Sequence, residues 1–292
     1  MNIADLFKKE KTVFSFEVFP PKKESGIETI YSTLEQLKEL QPDFISVTYG
    51  AGGVGVANAT TSDLCYLIKN KHGIETIAHL SCLYNTKESI DKILEQLKEK
   101  GIDNILALRG DENPNFEIKH DFRYASDLTE YIMTKHEGFH VSGACYPEVH
   151  QEASNMIEDI RNLKKKVDAG ADHLISQLFF DNNAFYDFIE KVRIAGINVP
   201  IEAGIMPVTN KHQIERMVSM CGASIPSKLS KLLQRFGENP IAMRDAGISY
   251  AVDQIIDLVA NGVDGVHIYT MNDPYVARKI TESVRSIVKS GR

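Results

Sequence analysis

The chain is expected to fold as an α/β structure of the (β/α)8 type, a TIM barrel with an extra helix before strand eight. Three observations predict this. Short apolar runs alternate with helical patterns eight times, about 30 residues apart, and strands alternating with helices imply a parallel sheet. The 292 residues, 43% hydrophobic and 25% charged, are not divided by any linker, low-complexity segment or charge block. A single barrel domain over residues 1–292 fits that length. The C-terminal ends of the runs carry polar and titratable residues, and barrels of this kind build their sites there.

The first run sets the pattern. Phe14, Phe16 and Val18 alternate with Ser15, Glu17 and Phe19, the period of a strand, and Pro20-Pro21 end it because neither can donate to a ladder. Glu17 therefore stands at the C-terminal tip of a buried strand. A carboxyl there is either paired with a cation or kept protonated by desolvation, so a structural ion pair and a general acid both fit. Ser25-Gly26-Ile27-Glu28 has a capping-box pattern and opens a helix through about Leu40. Strands follow at 44–49, 76–82, 104–110, 140–146, 173–180, 200–206 and 265–270. Helices are expected at 61–71, 87–100, 125–135, 153–169, 183–195, 211–221, 240–261 and 275–289, with the extra helix at 227–236.

Composition excludes several classes. A net charge of -7 argues against a polyanion, hence against nucleic acid, as the partner of the overall field. Cys65, Cys82, Cys145 and Cys221 show no C-x-x-C or Cys/His spacing, so reduced thiols are expected and no metal site. No apolar run approaches the roughly 18 residues of a membrane span, and no signal-peptide core precedes the first strand, so a soluble cytoplasmic protein is expected.

Glu17, Thr48-Tyr49, His79, Arg109-Gly110-Asp111, Tyr146, Gln177 and Tyr269-Thr270 fall at strand ends. Singly, each has a plain reading: His79 a satisfied core histidine, Gln177 an interior barrel residue. Together at one end they point to the ligand site of an enzyme. Gly50-Ala51-Gly52-Gly53-Val54-Gly55 matches the dinucleotide fingerprint, but Ser81-Cys82 stand where the next strand should end in an acid. A glycine-rich loop at the barrel mouth explains it equally well.

Ten sequence blocks, in order along essentially the whole chain, carry a resemblance. They are Phe16-Glu17-Val18-Phe19-Pro20-Pro21, Val47-Thr48-Tyr49-Gly50-Ala51, Ala78-His79-Leu80, Leu108-Arg109-Gly110-Asp111, Tyr124-Ala125-Ser126-Asp127, Tyr146-Pro147-Glu148-Val149-His150, 164–170, Gln177-Leu178-Phe179-Phe180-Asp181, Gly204-Ile205-Met206-Pro207-Val208 and Tyr269-Thr270-Met271-Asn272. The chain resembles the methylenetetrahydrofolate reductases, flavin-dependent (β/α)8 barrels. The resemblance implies hydride transfer from NADH or NADPH through FAD to 5,10-methylenetetrahydrofolate, giving 5-methyltetrahydrofolate. It is similar to the short bacterial form, a catalytic barrel without the eukaryotic regulatory domain, for which inhibition by S-adenosylmethionine is not expected.

The resemblance also implies roles. Glu17 matches the general acid that protonates the departing folate nitrogen, and Asp111 the acid beside flavin and pterin. Thr48, Tyr49, Ala51, His79, Arg109, Gly110, Tyr124 and Ala125 match FAD contacts. Tyr146, His150, Ala153, Asp159, Asn162, Lys165 and Lys166 match the segment holding the ribityl, diphosphate and adenosine parts. By itself Lys164-Lys165-Lys166 reads as a solvated face. Gln177 and Gln213 match folate contacts, although Asn210-x-x-Gln213 is also a capping box. Asp273-Pro274 stand where many members carry an arginine for the folate's glutamate tail, which leaves Arg278 or a lysine elsewhere for that contact. Relatives form homo-oligomers, and some take electrons from an iron-sulfur partner subunit. A flavin-free folate barrel and an FAD-binding non-catalytic subunit are the competing readings.

Overall fold

Eight parallel strands close into a barrel in chain order, with β8 returning to β1. The structure is a computed structural model that describes residues 1–8, 11–49 and 60–290. The strands are β1 (Val13–Val18), β2 (Phe44–Val47), β3 (Glu75–Ser81), β4 (Asn104–Leu108), β5 (His140–Cys145), β6 (Ala171–Ser176), β7 (Ile201–Ile205) and β8 (Gly265–Tyr269). Around them lie α1 (Ile27–Lys38), α2 (Thr61–Tyr66, continued by a π-turn at Leu67–Lys71), α3 (Lys87–Glu99), α4 (Ala125–Lys135) and α5 (Met156–Asp168). The ring is completed by α6 (Asn182–Ile194), α7 (Lys211–Cys221), α8 (Ser227–Phe236), α9 (Pro240–Ala260) and α10 (Pro274–Lys289). The closed ring excludes a doubly wound nucleotide-binding sheet; the glycine-rich segment from Gly50 lies outside the described residues.

The alternation in β1 divides the core. Phe14, Phe16 and Val18 pack outward against the helices in the largest apolar cluster, while Ser15 and Glu17 point into the barrel. The lower interior is an apolar plug of Val13, Phe44, Ile77, Leu106 and Ile175, closed from below by Ile3 and Leu6 of the N-terminal 3-10 turn. A third cluster joins the ends of β6 and β7 to α7, α8 and α9, so the extra helix α8 covers an apolar flank of the mouth.

Most strands stop one or more residues short of their expected ends, where the chain leaves the ladder. One expectation fails. Ser25 does not cap α1; Gly26 is its N-cap with no side-chain bond, and the 3-10 turn Glu24–Gly26 meets the backbone through Gly26 N–H to Lys23 O at 2.9 Å. A local backbone bond there replaced the side-chain cap.

Candidate active site

Glu17 stands at the mouth because the loop after β8 grips the end of β1. Thr270 Oγ1 donates to the Glu17 carbonyl at 2.6 Å, and Asn272 brackets Phe19, accepting from its N–H at 3.1 Å and donating to its carbonyl at 2.9 Å. Met271 and Asn272 adopt φ of 52° and 56°, a left-handed pair that costs backbone energy and turns the asparagine inward. The carboxyl is 19% exposed and lies 3.6 Å from His79 Nε2 and 3.8 Å from His267 Nε2. Burial drives the His79 pKa down to about 4, with Glu17 pulling it up and His267 pushing it down. His79 is therefore neutral near pH 7, and among the described residues no Lys or Arg pairs with Glu17. Among the described residues, an ion pair at Glu17 would have to be made with His267.

Asp111 follows β4 in an exposed loop that Tyr84 pins, its hydroxyl bonding the Asp111 carbonyl at 3.1 Å and the Asn113 N–H. Burial pushes the Tyr146 phenol and the Cys221 thiol up, and the Asp111 charge adds to both shifts. Asp111 thus acts electrostatically across the mouth from β4 toward β5 and α7.

Beside this mouth runs a groove of about 350 Å³ between the ends of β4 and β5 and the helices α4 and α5. Arg109, Tyr124, Ala125, Tyr146, His150, Ala153, Asp159, Asn162, Lys165 and Lys166 all line it. The helical spacing places Asp159, Asn162 and Lys166 on one face of α5. Lys166 is the most constrained. Its stem lies over Gly143, where an added Cβ would come within 2.6 Å of the lysine Cδ, and its Nζ donates to the Ala144 carbonyl at 2.5 Å. Burial lowers its pKa and raises that of Asp159. Asp159 in turn accepts the His150 N–H at 2.9 Å, just after Val149 at a φ of 70°, and His150 meets the Tyr146 ring edge-on. Lys164, by contrast, pairs with Asp168 at the surface, so only part of the lysine run is a solvated face.

Other expected residues scatter more widely. Thr48 and Tyr49 follow β2, with the Thr48 carbonyl accepting from Thr61 Oγ1 at 2.8 Å; Ala51 lies outside the described residues. Gly110 links Arg109 to Asp111 in the loop after β4. Gln177, half-buried after β6, accepts its neighbour Leu178 N–H through Oε1 at 2.9 Å. Gln213 sits in the first turn of α7, its N–H capped by Asn210 at 3.0 Å, and no described contact ties it to Glu17 or the groove. Two participants had weak signals in the sequence. Glu152 holds Arg109 through a paired guanidinium contact, one arm at 2.7 Å. His267 alternates with Tyr269 in β8, and that period alone would have turned both inward.

Asp273 has a local task. Its carboxylate accepts from Tyr275 N–H at 3.0 Å and Val276 N–H at 3.1 Å, capping α10, while Arg278 is paired with Glu39 at 2.6 Å. Asp273→Arg should therefore lower stability by about 1 kcal/mol through the lost cap. A thermal melt should drop by roughly 2–4 °C; an unchanged melt would show that the cap carries no weight.

The family described as methylenetetrahydrofolate reductase matches residues 2–285. The chain is 37% identical over 258 residues to the 5,10-methylenetetrahydrofolate reductase of Pectobacterium carotovorum, covering 88% of this chain and 85% of that protein. Against the Escherichia coli protein of the same name it is 36% identical over 258 residues, covering 88% and 86%. Methylenetetrahydrofolate reductase (NADH) 1 of Arabidopsis thaliana is 36% identical over 285 residues, covering 93% of this chain and 48% of that one. The chain thus spans about half the length of the plant and fission-yeast relatives it matches. Among solved structures, an uncharacterized Clostridium thermocellum protein described as binding two copies of 5-methyl-5,6,7,8-tetrahydrofolic acid overlays with a TM-score of 0.69 at 14% identity. That overlay covers 98% of this chain and 99% of the other, and it supports the fold.

Proposed function

The chain belongs to the methylenetetrahydrofolate reductase family, and on that premise we propose that it reduces 5,10-methylenetetrahydrofolate to 5-methyltetrahydrofolate with NADH or NADPH through FAD. The observation that carries this reading is the convergence, in one groove at the end of the barrel where β1 and β4 lead to Glu17 and Asp111, of residues from the β4 and β5 loops and one face of α5.

The groove fits FAD. Arg109, Lys165 and Lys166 bring positive charge to a lining that also holds Glu152, Glu158 and Asp159, and the first turn of α4 opens onto it at Ala125 and Ser126, where helix N–H groups and the macrodipole favour a diphosphate. Tyr124, 48% exposed at the rim, offers an aromatic face to an adenine. When bound, FAD supplies two-electron hydride chemistry between nicotinamide and folate. The protein's own part is acid-base and positional. Glu17 donates a proton to the folate nitrogen that leaves the methylene bridge; it sits at the mouth facing His79 and His267, and among the described residues no Lys or Arg pairs with it. Asp111 accepts from the amino edge of the pterin, and Gln177 orients the folate beside β6. Gln213, in the first turn of α7, is the second amide assigned to the folate.

The test is direct. The purified chain supplied with FAD should turn yellow, bleach anaerobically with NADH or NADPH, and regain its colour with methylenetetrahydrofolate. A protein that stays colourless would end the reading; one that bleaches but is not reoxidised by the folate would support the idle-subunit alternative. Lys166→Met keeps the stem over Gly143 and removes the charge, so FAD should bind about 10–100-fold more weakly, the loss of a charged hydrogen bond worth roughly 1.5–3 kcal/mol. Flavin fluorescence titration measures this, and an unchanged affinity would put the diphosphate elsewhere.

A further inference from the structure

Beneath Glu17 the barrel holds a column of polar side chains where apolar packing would serve stability. His267 Nε2 is 3.2 Å from Ser46 Oγ, and its Nδ1 is 2.6 Å from Ser15 Oγ. Ser15 Oγ is 2.9 Å from Glu202 Oε1. Glu202 Oε2 lies 3.2 Å from His173 Nε2 without the alignment of a hydrogen bond, and His173 Nδ1 meets Ser142 Oγ at 3.0 Å. Ser15, Ser46, His173, Glu202 and His267 are all 0% exposed. Room for the carboxyl comes from Gly265, where a Cβ would fall 2.7 Å from Glu202 Cγ. A buried carboxyl is costly unless its environment is completed. Among the described residues, no Lys or Arg pairs with it. The column runs toward one functional group, the Glu17 carboxyl 3.8 Å from His267 Nε2.

We propose that Glu202 is a positioning residue that, through Ser15, fixes the tautomer His267 presents to Glu17. This deepens the reading of Glu17 as the general acid and rests on it. With Glu202 protonated, its O–H donates to Ser15 Oγ, the Ser15 O–H donates to His267 Nδ1, and His267 must carry its proton on Nε2, facing Glu17. An N–H on Nε2, which meets Ser46 Oγ at 3.2 Å with the Glu17 carboxyl at 3.8 Å, turns the positive end of its dipole toward that carboxyl, stabilises the carboxylate left after proton donation and so assists that donation. When Glu202 ionises, the chain of donors reverses. Ser15 then donates to Glu202, His267 Nδ1–H donates to Ser15, and a lone pair on Nε2 faces Glu17 and holds its proton back.

The charges around Glu202 support a proton residing there. Burial pushes its pKa up to about 8, while His267 and the Ser15 bond pull it down and Asp43 and Asp264 below the barrel push it further up. Lys11 pairs with Asp43 and Arg193 with Asp264, which moderates that push. His173, on β6, is held near 4 by burial and so brings no positive charge.

Two measurements on the FAD-loaded protein test the proposal. In 15N-histidine-labelled wild type, His267 should be protonated on Nε2 at about pH 7 and on Nδ1 at about pH 9, whereas Glu202→Gln should hold one tautomer at both pH values, because its amide can donate to or accept from Ser15 but cannot ionise. In anaerobic stopped-flow, the rate of flavin reoxidation by methylenetetrahydrofolate should fall roughly tenfold above about pH 8 in wild type, a fall that Glu202→Gln and Ser15→Ala should both lose. An Nδ1–H tautomer at neutral pH, or identical pH profiles in wild type and variants, overturns the proposal; the wild-type spectrum decides even if a variant does not fold. A tautomer that switches as expected in a protein whose reduced flavin methylenetetrahydrofolate does not reoxidise upholds the lock and overturns the functional reading alone.

Discussion

Glu17→Gln is expected to slow reduction of methylenetetrahydrofolate by roughly 10²–10⁴, the range of a lost general acid, while FAD loading and NADH oxidation stay close to normal. Glutamine keeps the size and the hydrogen-bonding tip but has no acidic proton to give the departing nitrogen. The rival account, a structural ion pair, predicts a different pattern. Removing one partner of a buried pair destabilises by about 3–5 kcal/mol, and both half-reactions would fail together. The structure favours the first outcome, because Glu17 faces two histidines and no lysine or arginine among the described residues, and one of those histidines is held neutral by burial. Anaerobic stopped-flow on the separate half-reactions, beside a thermal melt, distinguishes the two. A stable, FAD-loaded variant with an undiminished folate rate would remove Glu17 from the chemistry.

Asp111→Asn should weaken the folate half-reaction by about 10–100-fold, the worth of one charged hydrogen bond, and the NADH half-reaction by much less. Asp111 is exposed at the mouth, and its loop is pinned through the carbonyl of Asp111 and the N–H of Asn113 rather than through its carboxylate. The carboxylate is thus free of a structural task, and asparagine leaves the loop bonds in place. The change also removes a negative charge that acts on Tyr146 and Cys221. Equal loss in both half-reactions would assign Asp111 to the flavin environment alone.

Local pattern was enough for the fold. Period-two runs, 3.6-residue helices and Pro or Gly punctuation act within a few residues, so each strand and helix could be read from its own segment, α8 included. The same alternation put Glu17 on one face with Ser15, which the closed ring turned inward, and the spacing of Asp159, Asn162 and Lys166 on α5 put them on one side of one groove. The capping box at Ser25 failed for a related reason: side-chain and backbone bonds compete at a helix start, and the sequence pattern does not decide between them.

What the barrel alone decided is which distant groups meet. Ser15 and His267 are 252 residues apart, Ser15 and Glu202 are 187 apart, and only closure of β8 onto β1 and β7 brings them within hydrogen-bond distance. The grip of Asn272 on Phe19 has the same origin, and the Glu152 partner of Arg109 comes from the neighbouring β4 and β5 loops. A local period fixes which face a side chain occupies. Whether that face holds a cation, a neutral histidine or a buried carboxyl depends on the register between strands that meet only when the ring closes.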